Sequence, residues 1–380
     1  MNRVSITPRP NWQAEVEKYG LVFHQTEGRP YWDESVYYAF SAREVDILEA
    51  ATNEIQRLYL EVGQHIIDND RFKELGIPDN VIPLIKWAWE AEPPAIYGRM
   101  DLAYDGKTPP KLLEYNADTP TALLEASVIQ WYWLEAKFPK ADQFNSIHER
   151  LVAKWKELRD YLTGSPLYFI HVDDAAAEDT MTVTYLRDTA EEAGLKTSAF
   201  LVQQLGWDSA QHHFVDLDEK PVGSVFKLYP WEWLAHEEYA PHMVATYKEM
   251  QWIEPIWKML FSNKGVLAIL WELFPHHPNL LPAYLDGPRD MKEYVRKPLL
   301  SREGANIQVK WARGDFETGG DYGEEGYVHQ QLVDAHEFGD GYFPVIGSWV
   351  IDGESAGMGI REAKGLVTDN RSTFVPHLFT

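Results

Sequence analysis

The sequence predicts an α/β (α+β) protein in which mixed and antiparallel sheets flank a small parallel α/β unit. Three observations lead there. A strand–helix–strand pattern fills residues 167–202, and such a unit needs a right-handed crossover and a parallel pair. Alternating segments cut by turn residues lie on both sides of it, at 96–116 and 294–361. Long stretches with one apolar helical face fill much of the rest. A chain of 380 residues also exceeds the roughly 250–300 at which a single core stops growing, so more than one lobe is expected.

Taken in order, Ser41 and Glu44 form a capping box, and Leu48, Ile55, Leu58, Val62 and Ile66 recur behind it at helical spacing, which predicts one helix over 42–69. Ile96–Tyr104 and Lys111–Asn116 read as a hairpin punctuated by Asp105-Gly106 and Pro109-Pro110. Thr119-Pro120 is expected to open an apolar helix running to about Phe138, with Thr119 as its N-cap. Ser146 and Glu149 suggest a second capping box, starting a helix to Leu162. Strands follow at 167–172, 197–202 and 224–228, with a helix at 180–193, then helices at about 236–250, 255–262 and 264–273. Strands return at 294–297, 307–311, 327–333, 345–351 and 357–361, and Gly314–Gly326 reads as a loop between two of them.

Composition excludes whole classes of function. With 59 acidic against 35 basic side chains the net charge is −24, which argues against nucleic-acid partners. No cysteine is present, so disulfides, thiolate metal sites and a Cys nucleophile are out. The first ten residues carry no apolar signal segment. The most apolar run, 266–274, contains Glu272 and falls short of the ~20 residues that span a bilayer. A cytoplasmic location without membrane partners is expected. Fifteen tryptophans fit either large buried contacts or a sugar-stacking surface.

The chemistry gathers around Tyr97-Gly-Arg-Met-Asp101 and Leu113-Glu-Tyr-Asn-Ala-Asp-Thr-Pro-Thr121. Residues i and i+2 of a strand share a face, so Arg99 pairs with Asp101 and Glu114 with Asn116. If the hairpin register aligns those faces, Asp101, Glu114 and Asn116 present three oxygens to one point. That set suits Mg²⁺; the alternative is an exposed polar face neutralised by Arg99. Thr119, at the expected helix start, is placed to hold a carboxylate or phosphate or simply to cap. Lys264 and Lys297 lie beside glycine-bearing loops and could neutralise phosphates, yet neither a P-loop nor a GxGxxG motif is present. The His212/His213 and His276/His277 pairs lack metal-binding spacing.

These segments, with Asn263-Lys, Phe274-Pro-His-His, Lys297-Pro, Gly304-Ala-Asn-Ile, Gln330-Gln-Leu and Ile360-Arg, resemble the synthetase domain of the glutathionylspermidine synthetase family and its shorter relatives with a provisional acid–amine ligase name. They run in order from about residue 10 to the end. The resemblance implies an ATP-grasp fold, with a discontinuous body at 1–125 and 255–380, a lid at about 285–335, and an inserted pre-ATP-grasp-like α/β domain at 126–254. It implies ATP and Mg²⁺ as cofactors, with Mg²⁺ on Asp101, Glu114 and Asn116. ATP would meet Lys264, Lys297, Gly304, Gln330 and Gln331. Arg361 would face the transferring phosphoryl group, and Arg99, Thr119 and Thr121 the reacting acid. Glu178 and Asp179 match, less securely, acidic positions that hold a peptide's amino group.

The implied activity is ADP-forming ligation of a carboxylate, with a peptide as one candidate, to an amine, with a polyamine as one candidate. Leu228 and Pro344 depart from a threonine and a glutamine of the family, which opens the peptide's identity. The bifunctional relatives' thiol amidase has no counterpart in a sequence without cysteine. A non-catalytic or ATPase-only nucleotide-binding protein and a carbohydrate-active protein are the competing readings. The sequence leaves the oligomeric state open.

Overall fold

A computed structural model describes residues 1–26, 28–174, 177–302, 304–334, 336–366 and 372–380. The expected lid range includes Glu303 and Ala335, which lie outside the described residues.

The main antiparallel sheet has five strands in the order Thr373–Val375, Glu354–Ala363, Phe343–Ile351, Tyr97–Ala103, Lys111–Asn116. Its central strands are buried almost throughout, because helices cover them. One cover is the helix Ala42–Asp68, whose Leu48, Ile55, Tyr59, Val62 and Ile66 are buried. It starts as the sequence predicts. Glu44 N donates to Ser41 Oγ, and Ser41 N donates to Glu44 Oε2 at 2.8 Å, a cap worth about 1 kcal/mol. Thr52 Oγ1 meets Ser348 Oγ at 2.7 Å, tying the helix to the sheet.

The expected parallel unit is present. Gln251–Ile253, Ser224–Leu228, Leu167–His171 and Thr197–Leu201 form one parallel sheet in that order. The helix Glu178–Glu192 makes the crossover between the 167–171 and 197–201 strands. Trp155 Nε1 donates to Thr189 Oγ1 at 3.0 Å, locking this helix to Ile147–Leu158. A second antiparallel five-stranded sheet is ordered Ala283–Tyr284, Tyr327–Gln331, Tyr294–Pro298, Gln308–Lys310, Phe316–Glu317. The stretch 314–326, expected as a loop, therefore contributes a short edge strand. The ends of the described chain meet, since Asn2–Ser5 and His377–Phe379 both pair with Val36–Phe40.

One expected helix start and one expected cap differ, and the helix expected at about 236–250 is confined to Ala240–Thr246. The helical backbone begins at Leu123, not at Thr119, because Ala122 is left-handed at φ 68°. Side chains satisfy the turn instead. Tyr97 Oη donates to Pro120 O at 3.2 Å and Arg99 Nη1 to Thr121 O at 2.7 Å. Ser146 precedes its helix but makes no side-chain cap; its hydroxyl donates to Ala356 O at 2.9 Å, and the helix ends at Leu158. Among the described residues no helix is long and apolar enough to cross a membrane. Trp32, Trp133, Trp155, Trp231 and Trp349 are among the largest fully buried side chains, so much of the tryptophan content is core.

Candidate functional site at two adjoining cavities

The hairpin register aligns the two polar faces. Asp101 stands opposite Glu114, and Arg99 opposite Asn116. On the other side, Gly347 stands opposite Asp101. A Cβ at Gly347 would lie 2.9 Å from Arg99 Cδ, so the bare backbone there is what lets Arg99 lie across the strand.

Charge in this group is paired. Arg99 Nε donates to Asp101 Oδ1 at 2.8 Å, and Arg361 Nη2 bonds Asp101 Oδ2 from the Glu354–Ala363 strand. Burial alone would raise the Asp101 carboxyl, but Arg361 and Arg99 hold it below the ordinary carboxylate value. Lys264 Nζ lies 3.2 Å from Glu114 Oε2; burial pushes Glu114 up, and Lys264 overcomes it, so it too sits low. Lys264 is positioned by its own N–H on Leu299 O at 2.9 Å and by Asn263 Nδ2 on Leu75 O at 2.7 Å. Lys297 Nζ donates to Gln330 Oε1 at 2.8 Å and Leu113 O at 2.9 Å. Its burial lowers the ammonium pKa to about 8, against the pull of Glu114.

Two cavities meet here. One has apolar walls from Val295, Ile307, Leu332 and Val345, with Asp101, Lys297, Gln330 and Gln331 among them. The other is more polar and contains Arg99, Asn116, Thr119, Thr121, Glu178, Asp179 and Arg361. Glu114, Lys264, Ser301 and Gly304 line both. Every site residue singled out from the sequence therefore lies on one cavity or the other. Glu178 and Asp179 begin the crossover helix, where the Asp174 carboxylate accepts from Glu178 N at 2.6 Å. Leu228 lines the polar cavity beside Tyr229, whereas Pro344 sits in the sheet opposite Glu362.

Sequence reading missed several members. Arg302 Nη1 donates to Thr119 Oγ1 at 2.7 Å and Nη2 to Glu232 Oε1 at 3.2 Å, spanning the polar cavity. Behind them Lys227 Nζ bonds Asp118 Oδ1 at 2.6 Å, both side chains fully buried, and Trp231 N donates to Asp118 Oδ2 at 3.0 Å. These partners are more than 60 residues apart in sequence. Only the charged residue at a buried strand position, Lys227, carried a signal.

For a metal, the available donors are the Asp101 and Glu114 carboxylates and the Asn116 amide oxygen. Only two of these are carboxylates, and among the described residues no group of three or more His, Asp and Glu is placed to hold a metal, so an all-oxygen set here needs the amide oxygen. It fits Mg²⁺, which usually takes one or two carboxylates and keeps places for phosphate and water.

Comparison with known proteins gives the chain's family and fold. A family profile described as glutathionylspermidine synthase pre-ATP-grasp matches residues 3–380. A protein of Haemophilus influenzae with a provisional acid–amine ligase name is 40% identical, over 100% of both chains. A trypanothione synthetase of Crithidia fasciculata is 28% identical across 82% of this chain and 51% of its own length. A bifunctional glutathionylspermidine synthetase/amidase of Escherichia coli is 27% identical across 97% of this chain and 62% of its own length. The apo structure of a glutathione synthetase-like effector from Globodera pallida superposes with TM-score 0.61 at 10% identity, covering 97% of this chain and 95% of that one; it shows the fold. The chain thus belongs to the glutathionylspermidine synthase pre-ATP-grasp family and is an enzyme of the carbon–nitrogen ligase class.

Proposed function

We propose that the protein is an ATP-dependent, ADP-forming acid–amine ligase. The observation that carries this reading is the shared wall: Glu114, Lys264, Ser301 and Gly304 belong to both cavities. A nucleotide base in the apolar cavity would send its phosphates toward this wall. An acid bound in the polar cavity would present its carboxylate to the same wall from the other side. Lys297, Gln330 and Gln331 would hold the nucleotide, with Gly304 allowing close backbone approach at φ 70°. Asp101, Glu114 and Asn116 would hold Mg²⁺, which screens phosphate charge. ATP supplies a phosphoryl group to the carboxylate, leaving an acyl phosphate that an amine can attack.

The remaining work falls to this chain's own residues. Arg361, already on Asp101, would neutralise charge spreading over the transferring phosphoryl group. Arg99 and the Thr119–Thr121 turn orient the acid, and a peptide's amino group would meet Glu178 and Asp179. Leu228 offers no hydroxyl to such a peptide, which favours an acid with an apolar group there. Water must be kept from the acyl phosphate, a role suited to Leu300, Ser301 and Arg302, which line the polar cavity. We place the ATP-grasp body at 1–125 and 255–380 and the inserted domain at 126–254.

The test is ADP release with Mg-ATP across glutathione and a series of short peptides, each with spermidine and simple alkylamines. ADP formation requiring both an acid and an amine supports the ligase. ADP formation indifferent to both would favour an ATPase.

A further inference from the structure

One buried carboxyl at the cavity takes no part in the reading above. Glu125 is 2% exposed, and it accepts a hydrogen bond from Tyr31 Oη at 2.7 Å. The local backbone is unusual: Glu125 opens a π-helical turn, Glu125–Ile129, three residues after the left-handed Ala122. Such turns recur at functional sites because they re-aim one side chain. Tyr31 stands between Glu125 and the cavity, which it lines beside Glu178 and Arg361. The Tyr31 ring packs against Phe23 and Phe374, with ring centroids at 4.6 and 5.1 Å. Its backbone is pinned as well, with Tyr31 N on His24 O at 2.9 Å and Phe374 N on Tyr31 O at 2.6 Å.

An alkylamine reaches an enzyme at neutral pH as an ammonium, which has no lone pair and cannot attack. Something must take that proton before the nitrogen can attack. Resting on the ligase reading, we propose that Tyr31 is the group that receives this proton and that Glu125 accepts it through Tyr31. The ammonium N–H donates to Tyr31 Oη while the Tyr31 hydroxyl hydrogen passes to the Glu125 carboxylate. The freed nitrogen lone pair forms the C–N bond, and the acyl C–O bond to phosphate breaks with its electron pair on the phosphate. The second nitrogen proton leaves on the departing phosphate. Tyr31 ends as it began, and Glu125 holds one proton to return to solvent.

The surroundings agree with that role. Burial, with Glu178 nearby and despite the Tyr31 hydrogen bond and Arg99, brings the Glu125 carboxyl up to about 7, near the value at which a general base both holds and releases a proton. The phenol, by contrast, is pushed well above its ordinary value by burial and by Glu125 and Glu178. It therefore passes a proton on and does not keep a phenolate.

The test uses nucleophiles that differ in whether they need the relay. Hydroxylamine is unprotonated at neutral pH, whereas spermidine is charged. With Mg-ATP and the peptide series, Tyr31→Phe and Glu125→Gln should lose about 100-fold or more in spermidine-dependent kcat and keep hydroxamate formation within about threefold of wild type. Tyr31→Phe removes one oxygen and leaves the packing, so it decides the matter should Glu125→Gln fail to fold. Equal losses with both nucleophiles, or no loss with spermidine, overturn the relay. A wild-type protein that releases no ADP with either nucleophile on any acid overturns the ligase reading, and the relay falls with it.

Discussion

Glu114 and Lys264 face each other at 3.2 Å on the one stretch of wall that two cavities share. A carboxylate and an ammonium there suit the proposed meeting of a metal-bound phosphate with an acid: the first would recruit the cation, the second the anion.

Glu114→Gln keeps the shape and removes the charge. Mg-ATP turnover should fall by at least about 100-fold, as when metal binding is badly weakened, while the melting temperature changes little because the amide keeps the shape and can still accept from Lys264. ADP release and thermal denaturation on the same preparation check both halves.

Arg361→Ala removes a guanidinium that now sits on Asp101. We expect kcat to fall more than KM for ATP rises, the mark of an interaction made in the transition state. Steady-state kinetics showing a rise in KM alone would reduce Arg361 to a binding residue.

Gly347→Ala tests the path of Arg99. The new methyl would meet Arg99 Cδ at 2.9 Å and push the side chain off its preferred rotamer, at about 0.5–1.5 kcal/mol. The KM for the acid should rise by up to about tenfold with KM for ATP unchanged.

This arrangement was partly legible. Strand alternation has period two, so Arg99, Asp101, Glu114 and Asn116 could be put on matching faces once a hairpin was recognised. The Thr119 turn was misread because its helix-like sequence is overruled by Tyr97 and Arg99, which hold the carbonyls of Pro120 and Thr121 from a neighbouring strand. Glu125 was hidden for a related reason. One acid inside an apolar helix gives no periodic signal, and only Tyr31, 94 residues away, shows what it does.

The nucleotide side should respond to pH through Lys297. Its ammonium loses its proton near pH 8 when folded, against 10.5 ordinarily. Below pH 8 both folded and unfolded chains hold that proton, and above 10.5 neither does. Between them the unfolded chain binds more protons, so this group's contribution to stability rises with pH across that window. Phosphate binding runs the other way: kcat/KM for ATP should fall above about pH 8. Lys297→Arg, which stays charged, should flatten that fall in a pH–rate profile.

Asp118→Ala strands Lys227 in a fully buried place and leaves Trp231 N unpaired. The loss should be about 3–5 kcal/mol in urea denaturation, since an uncompensated buried charge remains.

The common wall has a last consequence, for the order in which ligands help each other. Ser301 and Gly304 can be steadied from either cavity. If nucleotide and acid bind as proposed, whichever arrives first would meet the entropic cost of fixing Ser301 and Gly304, and the second would bind a more ordered partner. Linkage makes the benefit mutual: the factor by which nucleotide tightens the acid equals the factor by which the acid tightens nucleotide. Such synergy would hold the phosphoryl donor loosely until there is something to receive its group.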